Sequence, residues 1–316
     1  NGMKLEFQME DDEADAEKAV NAYNTLKDNG MKVFIGTVTT GACLSVVSQT
    51  KADNMFQITP SASAAKVIAN DNCFQVCFTD PNQGTASADY IASKGLATKV
   101  AVIYNSSDAY SSGIYDNFKA EAAAKGLDLV ASEAFTGDSK QDFSSQLSKI
   151  KASGAELIFL PIYYQEASLI LSQAKNAGIT AKFFGCDGLD GLLNIENFDK
   201  SLAENVMLLT PFAANATDET TKKFVAAYNA KYDPSTLNQF AADAYDAVYI
   251  VKAAAEKAGV TGDMSVSDIC NALKGAMTEI TVDGVTGSGM TWKATGEVNK
   301  EPKAVKIENG EYQPMD

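Results

Sequence analysis

The chain has 316 residues, of which 46% are hydrophobic and 21% are charged, a composition typical of a globular protein with a core of ordinary size. At about 150 residues per domain, the length predicts two domains. The 26 lysines and arginines against 41 aspartates and glutamates give a net charge of −15, which opposes binding to nucleic acid and to anionic lipid. Because the chain has no histidine, Ser-His-Asp and Cys-His nucleophile systems and histidine-dependent metal sites are excluded.

Neither a disulfide framework nor a membrane span is predicted. The five cysteines form no CxxC pair, and Cys73 and Cys77 lie in one predicted strand, separated by about 13 Å, which is too far for a disulfide. We expect buried thiols that do not identify a redox compartment. No apolar run approaches the roughly 20 residues of a membrane span. The chain begins at Asn1 with no visible signal peptide, so we expect a processed or cut amino terminus.

Short apolar strands alternate with amphipathic helices along the chain. The predicted strands, in chain order, are 4–10, 31–36, 55–60, 73–78, 99–104, 127–135, 156–161, 181–186 and 205–212. The predicted helices are 15–30, 39–54, 61–70, 81–94, 110–125, 143–154, 163–177, 217–232 and 237–259, and short β signals follow Ile280. This alternation predicts an α/β fold with parallel sheets covered by helices on both faces, and ligands bind such sheets at the carboxyl ends of the strands.

Small hydroxyl residues follow two successive predicted strands, in the sequences TVTTGA (37–42) and PSASA (60–64). Either turn alone can be explained by capping of the next helix, which is worth about 1 kcal/mol. Two such turns in successive units favour a second interpretation, in which hydroxyls and helix N-termini bind a small carboxylate or phosphate. A P-loop is excluded because the GxxxxGK[ST] sequence is absent.

Aromatic and acidic residues follow later strands. Tyr110 and Tyr163 are candidates for the aromatic walls of a pocket, although packing at a helix start explains either one alone. Asp187 lies between Gly185 and Gly188 and could bind a ligand ammonium group or cap a helix. Asp80 fits a cap or hinge position better than a ligand contact. The acidic run at 10–13 lacks the spacing of a calcium loop, so no metal site is predicted.

The ordered set of these motifs resembles the leucine/isoleucine/valine-binding proteins, the substrate-binding receptors of branched-chain amino-acid ABC transporters. The similarity runs over essentially the whole chain, and the strings that carry it are FIGTVTTGA, ITPSASAAKV, FQVCFTDPNQG, VAVIYNSSDAYSSG, ELIFLPIYYQEASLILSQAKNAGI and FGCDGLDG. The resemblance implies the type I periplasmic-binding-protein fold, with two Rossmann-like lobes, three crossovers and a ligand in the inter-lobe cleft. The family begins with one more strand and helix, which are expected to be missing before Asn1.

The resemblance also implies where the lobes and the ligand contacts fall. The first lobe would comprise 1–80 and 212–282, and the second 81–211 and 283–316. The ligand carboxylate would be held by the two hydroxyl-bearing turns, at Val38, Thr39, Thr40, Ser61, Ala62 and Ser63. Asp187 would bind the ammonium group, and Tyr110 and Tyr163 would supply aromatic contacts.

The predicted function is therefore a non-enzymatic receptor of an ABC transporter that binds a small amino acid, branched-chain or otherwise aliphatic, by lobe closure. The expected partners are the amino acid and the membrane permease subunits, with no cofactor and no nucleic acid. We expect a monomer located outside the cytoplasm, either in the periplasm or lipid-anchored at the cell surface. Three alternatives remain: a sensory ligand-binding domain, a receptor for another small carboxylate or amide, and, less favoured, an α/β enzyme.

Overall fold

The computed structural model of the chain describes residues 2–315. In this part of the chain the α-helices are α1 (Ala16–Asp28), α2 (Thr40–Ala52), α3 (Asp80–Ser93), α4 (Ala109–Ala124), α5 (Ser144–Ser153), α6 (Tyr164–Asn176), α7 (Glu219–Asn229), α8 (Gln239–Ala258) and α9 (Val266–Met277). The strands are β1 (Phe34–Ile35), β2 (Gln57–Thr59), β3 (Cys73–Gln75), β4 (Lys99–Asn105), β5 (Asp128–Phe135), β6 (Leu157–Leu160), β7 (Lys182–Gly185), β8 (Met207–Thr210), β9 (Lys303–Glu308) and β10 (Glu311–Pro314).

The chain folds into two compact units. The first unit contains the described residues up to Thr79 together with Phe240–Glu301, and the second contains Asp80–Gln239 together with the described residues from Pro302 onwards. The first boundary lies one residue from the predicted one, whereas the other two lie later in the chain than predicted. Residues 212–239 belong to the second unit, where Phe212 and Phe224 pack edge to face with ring centroids 5.9 Å apart.

Residues 283–301 belong to the first unit rather than to the predicted second lobe. Two antiparallel bridges, Val282 with Met290 and Trp292 with Val298, fold this segment back on itself. The Trp292 indole N–H donates to the carbonyl oxygen of Gln75 on β3 at 2.8 Å, so the segment is fastened to the first sheet. The third crossover therefore lies after residue 301 and not near 282–284.

The first unit is built on a parallel three-stranded sheet in the order β1-β2-β3. Asp15 is the N-cap residue of helix α1, and its carboxylate accepts from the N–H groups of Glu17 and Lys18. The helix then buries Ala19, Tyr23 and Leu26, which share one face at spacings of four and three residues. These side chains pack with Phe34 and α2, while α8 and α9 form a second core with Phe56, Ile58 and Phe74.

The second unit contains a seven-stranded sheet in the order β10-β9-β8-β7-β6-β4-β5. Strands β4 to β8 run parallel to one another, and β9 pairs antiparallel with both β8 and β10. All four residues of β6 are buried, as expected for a central parallel strand covered on both faces. The predicted α/β architecture is confirmed, and residues 303–314 add the antiparallel pair.

Three sequence predictions need correction. Residues 4–10 are not a strand: Phe7 and Met9 are exposed, and none of the described strands pairs with this segment. Residues 61–70 contain a single 3₁₀ turn, Ala65–Ile68, in place of the predicted α-helix. Helix α9 was missed by the sequence reading, although its buried Ile269, Leu273 and Met277 recur every four residues.

A groove of about 480 Å³ lies in the first unit, lined by residues 3–8, β1, α8 and the start of α9. Strand β1 stands at the end of the order β1-β2-β3 and, among the described strands, pairs with β2 alone. In residues 2–315, no helix combines the length and hydrophobicity that a membrane crossing requires.

Candidate functional site

The first cluster of predicted site residues lies where β1 leads into α2. Thr39 is the N-cap residue of α2, with extended backbone angles (φ −90°, ψ 148°), but its side chain makes no capping hydrogen bond. The amide groups of the first helical turn have no partner within the helix, and they point out of its positive end. The hydroxyl of Thr39 is therefore not explained by capping, whereas Asp15 and Asp108 do cap α1 and α4.

Hydrogen bonds join this turn to the second predicted turn. The hydroxyl oxygen of Thr40 accepts from the N–H of Ser63 at 3.2 Å, and Thr40 is 1% exposed. The Thr59 hydroxyl donates to the Thr37 carbonyl oxygen at 2.6 Å and accepts from the N–H of Ala62 at 2.9 Å. The structure thus brings the two predicted turns together and holds them in a fixed arrangement.

Two hydroxyls of this cluster are buried without a hydrogen-bond partner among the described residues. They are Thr39 Oγ1 and Ser63 Oγ, and Ser63 is completely buried. Because an unsatisfied buried hydroxyl destabilises a fold by about 1–3 kcal/mol, such a pair indicates donors held ready for a ligand. Only one true helix N-terminus contributes, since the second turn leads into the short 3₁₀ turn rather than into an α-helix.

The other predicted residues of the two turns differ in exposure. Val38 is 39% exposed, whereas Ser61 and Ala62 are buried. The carbonyl oxygen of Ala62 accepts from Gln75 Nε2 at 2.8 Å, so this turn is also tied to β3. The first unit therefore presents a rigid, uncharged array of hydroxyl and amide donors suited to a small anion.

The second cluster is centred on Asp187, which follows β7 and is 2% exposed. The Tyr110 hydroxyl donates to Asp187 Oδ1 at 2.6 Å and accepts from the N–H of Gly188 at 2.9 Å. A Cβ atom at position 188 would lie 2.6 Å from this hydroxyl oxygen, so glycine is required there. The carboxylate of Asp187 is thus held in place by a buried tyrosine.

The predicted aromatic residues lie in this same cluster. The rings of Tyr110 and Tyr163 stack with centroids 4.7 Å apart and an interplanar angle of 15°. Tyr110 is 2% exposed, and burial together with the nearby Asp187 charge raises the pKa of its hydroxyl well above the usual value. The hydroxyl therefore stays protonated and acts as a donor to Asp187, while the half-buried Tyr163 remains the better candidate for a ligand wall.

The chain matches a known protein family over nearly its whole length. A family model described as "Periplasmic binding protein" matches residues 1–311. The chain belongs to the periplasmic binding protein family. Membership implies a location outside the cytoplasm, and the likeness to solved structures shows that the chain has the type I periplasmic binding protein fold.

Individual members of the periplasmic binding protein family resemble this chain over most of its length. Leu/Ile/Val-binding protein homolog 3 of Brucella melitensis is 32% identical over 265 residues, which are 83% of this chain and 70% of the relative. A leucine-binding protein from Thermotoga maritima matches with a TM-score of 0.85 and 25% identity, over 97% of this chain and 85% of its own. A branched-chain amino acid transporter substrate-binding protein from Streptococcus pneumoniae was solved in complex with isoleucine. It matches with a TM-score of 0.83 and 26% identity, over 96% of this chain and 84% of its own.

The sequence did not predict two glutamines that hydrogen-bond to the backbone of Asp187. The Asp187 N–H donates to Gln83 Oε1 at 3.3 Å, and the Asp187 carbonyl oxygen accepts from Gln239 Nε2 at 3.0 Å. Both glutamines are completely buried. Gln83 lies in the first turn of α3 and Gln239 is the first residue of α8, so the two are 156 positions apart in the sequence and only the fold brings them to one turn.

Ser63→Ala separates a ligand-binding role for the Ser63 hydroxyl from a structural one. Because the hydroxyl is buried and unpartnered, its removal should leave the free energy of unfolding unchanged or raise it. A lost hydrogen bond to a charged ligand group should lower the affinity about tenfold or more. Denaturant unfolding and calorimetric titration measure the two effects.

Ser45→Ala is the matched control, since the Ser45 hydroxyl donates to the carbonyl oxygens of Ala16 and Ala42. It should show the reverse pattern, with a small loss of stability and unchanged affinity. A Ser63→Ala protein that is less stable but binds as before would show that the hydroxyl is structural.

Proposed function

We propose that this protein is the solute-binding receptor of an ABC transporter and that its ligand is an α-amino acid with an aliphatic side chain. The observation that carries the proposal is the buried, hydrogen-bonded carboxylate of Asp187 in the second unit. In the proposed complex Asp187 binds the ligand ammonium group. The ligand carboxylate is held by Thr39, Ser63 and the N-terminus of α2 in the first unit.

The charge of Asp187 favours an amino acid over a simple carboxylate. A buried carboxylate is strongly destabilising unless a cation or several donors compensate for it, and a ligand ammonium group supplies such a cation. A ligand with a carboxylate alone would satisfy the hydroxyl array but would bring no positive charge to Asp187. A zwitterion brings a negative charge to the hydroxyl array and a positive charge to Asp187.

The names of the relatives support an aliphatic side chain on the ligand. The curated relative is named as a Leu/Ile/Val-binding protein homologue, and one solved relative contains isoleucine. A stacked aromatic pair, Tyr110 with Tyr163, is compatible with an apolar ligand side chain. The membrane permease subunits of the transporter are the proposed protein partners, with the receptor acting as a monomer in the periplasm or on a lipid anchor.

A thermal-shift screen against the twenty amino acids tests this proposal. At a ligand concentration of 100 times Kd, binding should add about 2.7 kcal/mol of stability, and leucine, isoleucine and valine should give the largest shifts. The screen should include 4-methylpentanoate, which is leucine without its amino group, and representative sugars and nucleotides. Shifts from these compounds in the absence of any shift from an amino acid would refute the proposal.

A further inference from the structure

Gln239 occupies the position at which the chain leaves the second unit, and its backbone N–H and both ends of its side-chain amide are hydrogen-bonded. It is the last residue of the segment Asp80–Gln239 of that unit and is completely buried. Its backbone N–H donates to Asp190 Oδ2 at 2.7 Å. Its side chain bonds to the Asp187 carbonyl oxygen through Nε2 at 3.0 Å and to the Thr210 hydroxyl through Oε1 at 2.8 Å.

The orientation of the Gln239 amide follows from its partners. A carbonyl oxygen can only accept, so the NH₂ group must face Asp187, and the amide oxygen then faces Thr210, which has a hydroxyl proton to donate. Thr210 is the last residue of β8 and is 2% exposed. The glutamine is therefore held by the sheet at one end and holds the Asp187 turn at the other.

Gln239 and Tyr110 hold different parts of Asp187. The Asp187 carbonyl oxygen accepts from Gln239 and also from the N–H of Asp190, at 2.9 Å, which closes the short 3₁₀ turn. Tyr110 holds the carboxylate itself. Fixing the peptide group that follows Asp187 fixes the direction in which its side chain leaves the backbone, and charge recognition depends on that direction.

We propose that Gln239 is a positioning residue for ligand recognition, which sets the direction of the Asp187 carboxylate through the Asp187 carbonyl and is itself oriented by Thr210. This inference rests on the proposed function, because it assigns to Asp187 the binding of the ligand ammonium group. It predicts that damage to Gln239 weakens recognition of the ammonium group more than recognition of the rest of the ligand.

Gln239→Met tests the role, since methionine has a similar length and apolar character but cannot make either side-chain hydrogen bond. The affinity for leucine should fall about tenfold, whereas the affinity for 4-methylpentanoate should change much less. The control is Gln173→Met in the same unit, where Gln173 accepts from the N–H of Phe143 and donates to the Gln141 carbonyl oxygen. Gln173→Met should leave the ratio of the two affinities unchanged.

A second pair of variants tests the same role in case Gln239→Met does not fold. Thr210→Val removes the hydroxyl that orients the amide and should lower the preference for leucine over 4-methylpentanoate. Thr210→Ser restores the hydroxyl and should recover most of that preference. A purely structural role would lower thermal stability in Thr210→Val without changing the ratio of the two affinities.

The outcomes separate this inference from the proposed function. If the unmodified protein binds no amino acid, the proposed function fails and the inference fails with it. If the unmodified protein binds leucine but Gln239→Met has an unchanged ratio of the affinities for leucine and 4-methylpentanoate, the positioning role is overturned and the receptor function stands. Where Gln239→Met does not fold, an unchanged ratio in Thr210→Val leads to the same conclusion. A selective loss for leucine that Thr210→Ser rescues supports the inference.

Discussion

Asp187→Asn is expected to lower the affinity for leucine about 30-fold or more. Truncating one partner of a buried charge pair costs about 2–5 kcal/mol, and about 1.4 kcal/mol corresponds to a factor of ten. Asparagine keeps the shape of the side chain, and its Oδ1 atom can still accept from the Tyr110 hydroxyl. The loss therefore reports the charge rather than a collapse of the turn, and calorimetric titration measures it.

The decisive comparison is with 4-methylpentanoate, which lacks the ammonium group. Its affinity should fall less than that of leucine or should rise, because the neutral asparagine no longer needs a cation. Asp108→Asn is the control: Asp108 caps α4 by accepting from the N–H of Ser111 at 3.1 Å, and asparagine caps helices equally well. Equal losses for leucine and the analogue in Asp187→Asn would reject the ammonium-binding role.

The pattern of apolar residues predicted most of the elements because each depends on local sequence. Helix α1 has an N-cap aspartate, a buried face at helical spacing and a glycine at its end, and it lies within the predicted 15–30. Strands such as β6 are short, apolar and bounded by turn residues. The segment 4–10 has an alternating pattern too, but a strand exists only where a neighbour pairs with it, and periodicity does not report the neighbour.

The residues of the candidate site could be predicted from the sequence, but the hydrogen bonds that hold them in place could not. Strand-end hydroxyls and an acidic residue between glycines are visible in the sequence, and the fold places them in two clusters. The sequence does not show that the Thr39 and Ser63 hydroxyls have no hydrogen-bond partner within residues 2–315, or that the Tyr110 hydroxyl bonds to Asp187. Those facts depend on distances between segments far apart in the chain, as do the contacts of Gln239.

Lys300→Met is expected to lower the free energy of unfolding by about 3–5 kcal/mol, because it leaves a buried carboxylate without its cation. Lys300 Nζ lies 3.2 Å from Asp243 Oδ1, and both side chains are 1% exposed. The ammonium group also donates to the Thr286 hydroxyl, which in turn donates to Asp246 at 2.6 Å. The first unit therefore holds one buried cation and two buried carboxylates in a connected network.

Two further variants show whether the buried pair is responsible. Lys293→Met removes a lysine of the same segment whose partner, Glu297, is on the surface, and it should scarcely change stability. Adding Asp243→Leu to Lys300→Met removes the unpaired charge and should recover part of the loss, as replacement of buried ion pairs by apolar residues often does. Equal effects of Lys300→Met and Lys293→Met on urea denaturation would contradict this account.

The loss in Lys300→Met should also grow with pH. Burial, followed by the nearby Asp246 charge, raises the pKa of Asp243 to about 6, although Lys300 acts to lower it. A carboxyl group whose pKa is higher in the folded state holds its proton more tightly there, so stability falls as pH rises from about 4, the unfolded value, to the folded value. Removing Lys300 takes away the cation that favours the charged form of Asp243, so the pKa of Asp243 in the folded state rises further. The pH range over which stability falls therefore extends upward. Urea denaturation should therefore show a smaller difference in the free energy of unfolding between Lys300→Met and the unmodified protein at pH 5 than at pH 8. A difference that does not change with pH would show that Asp243 does not titrate in this range.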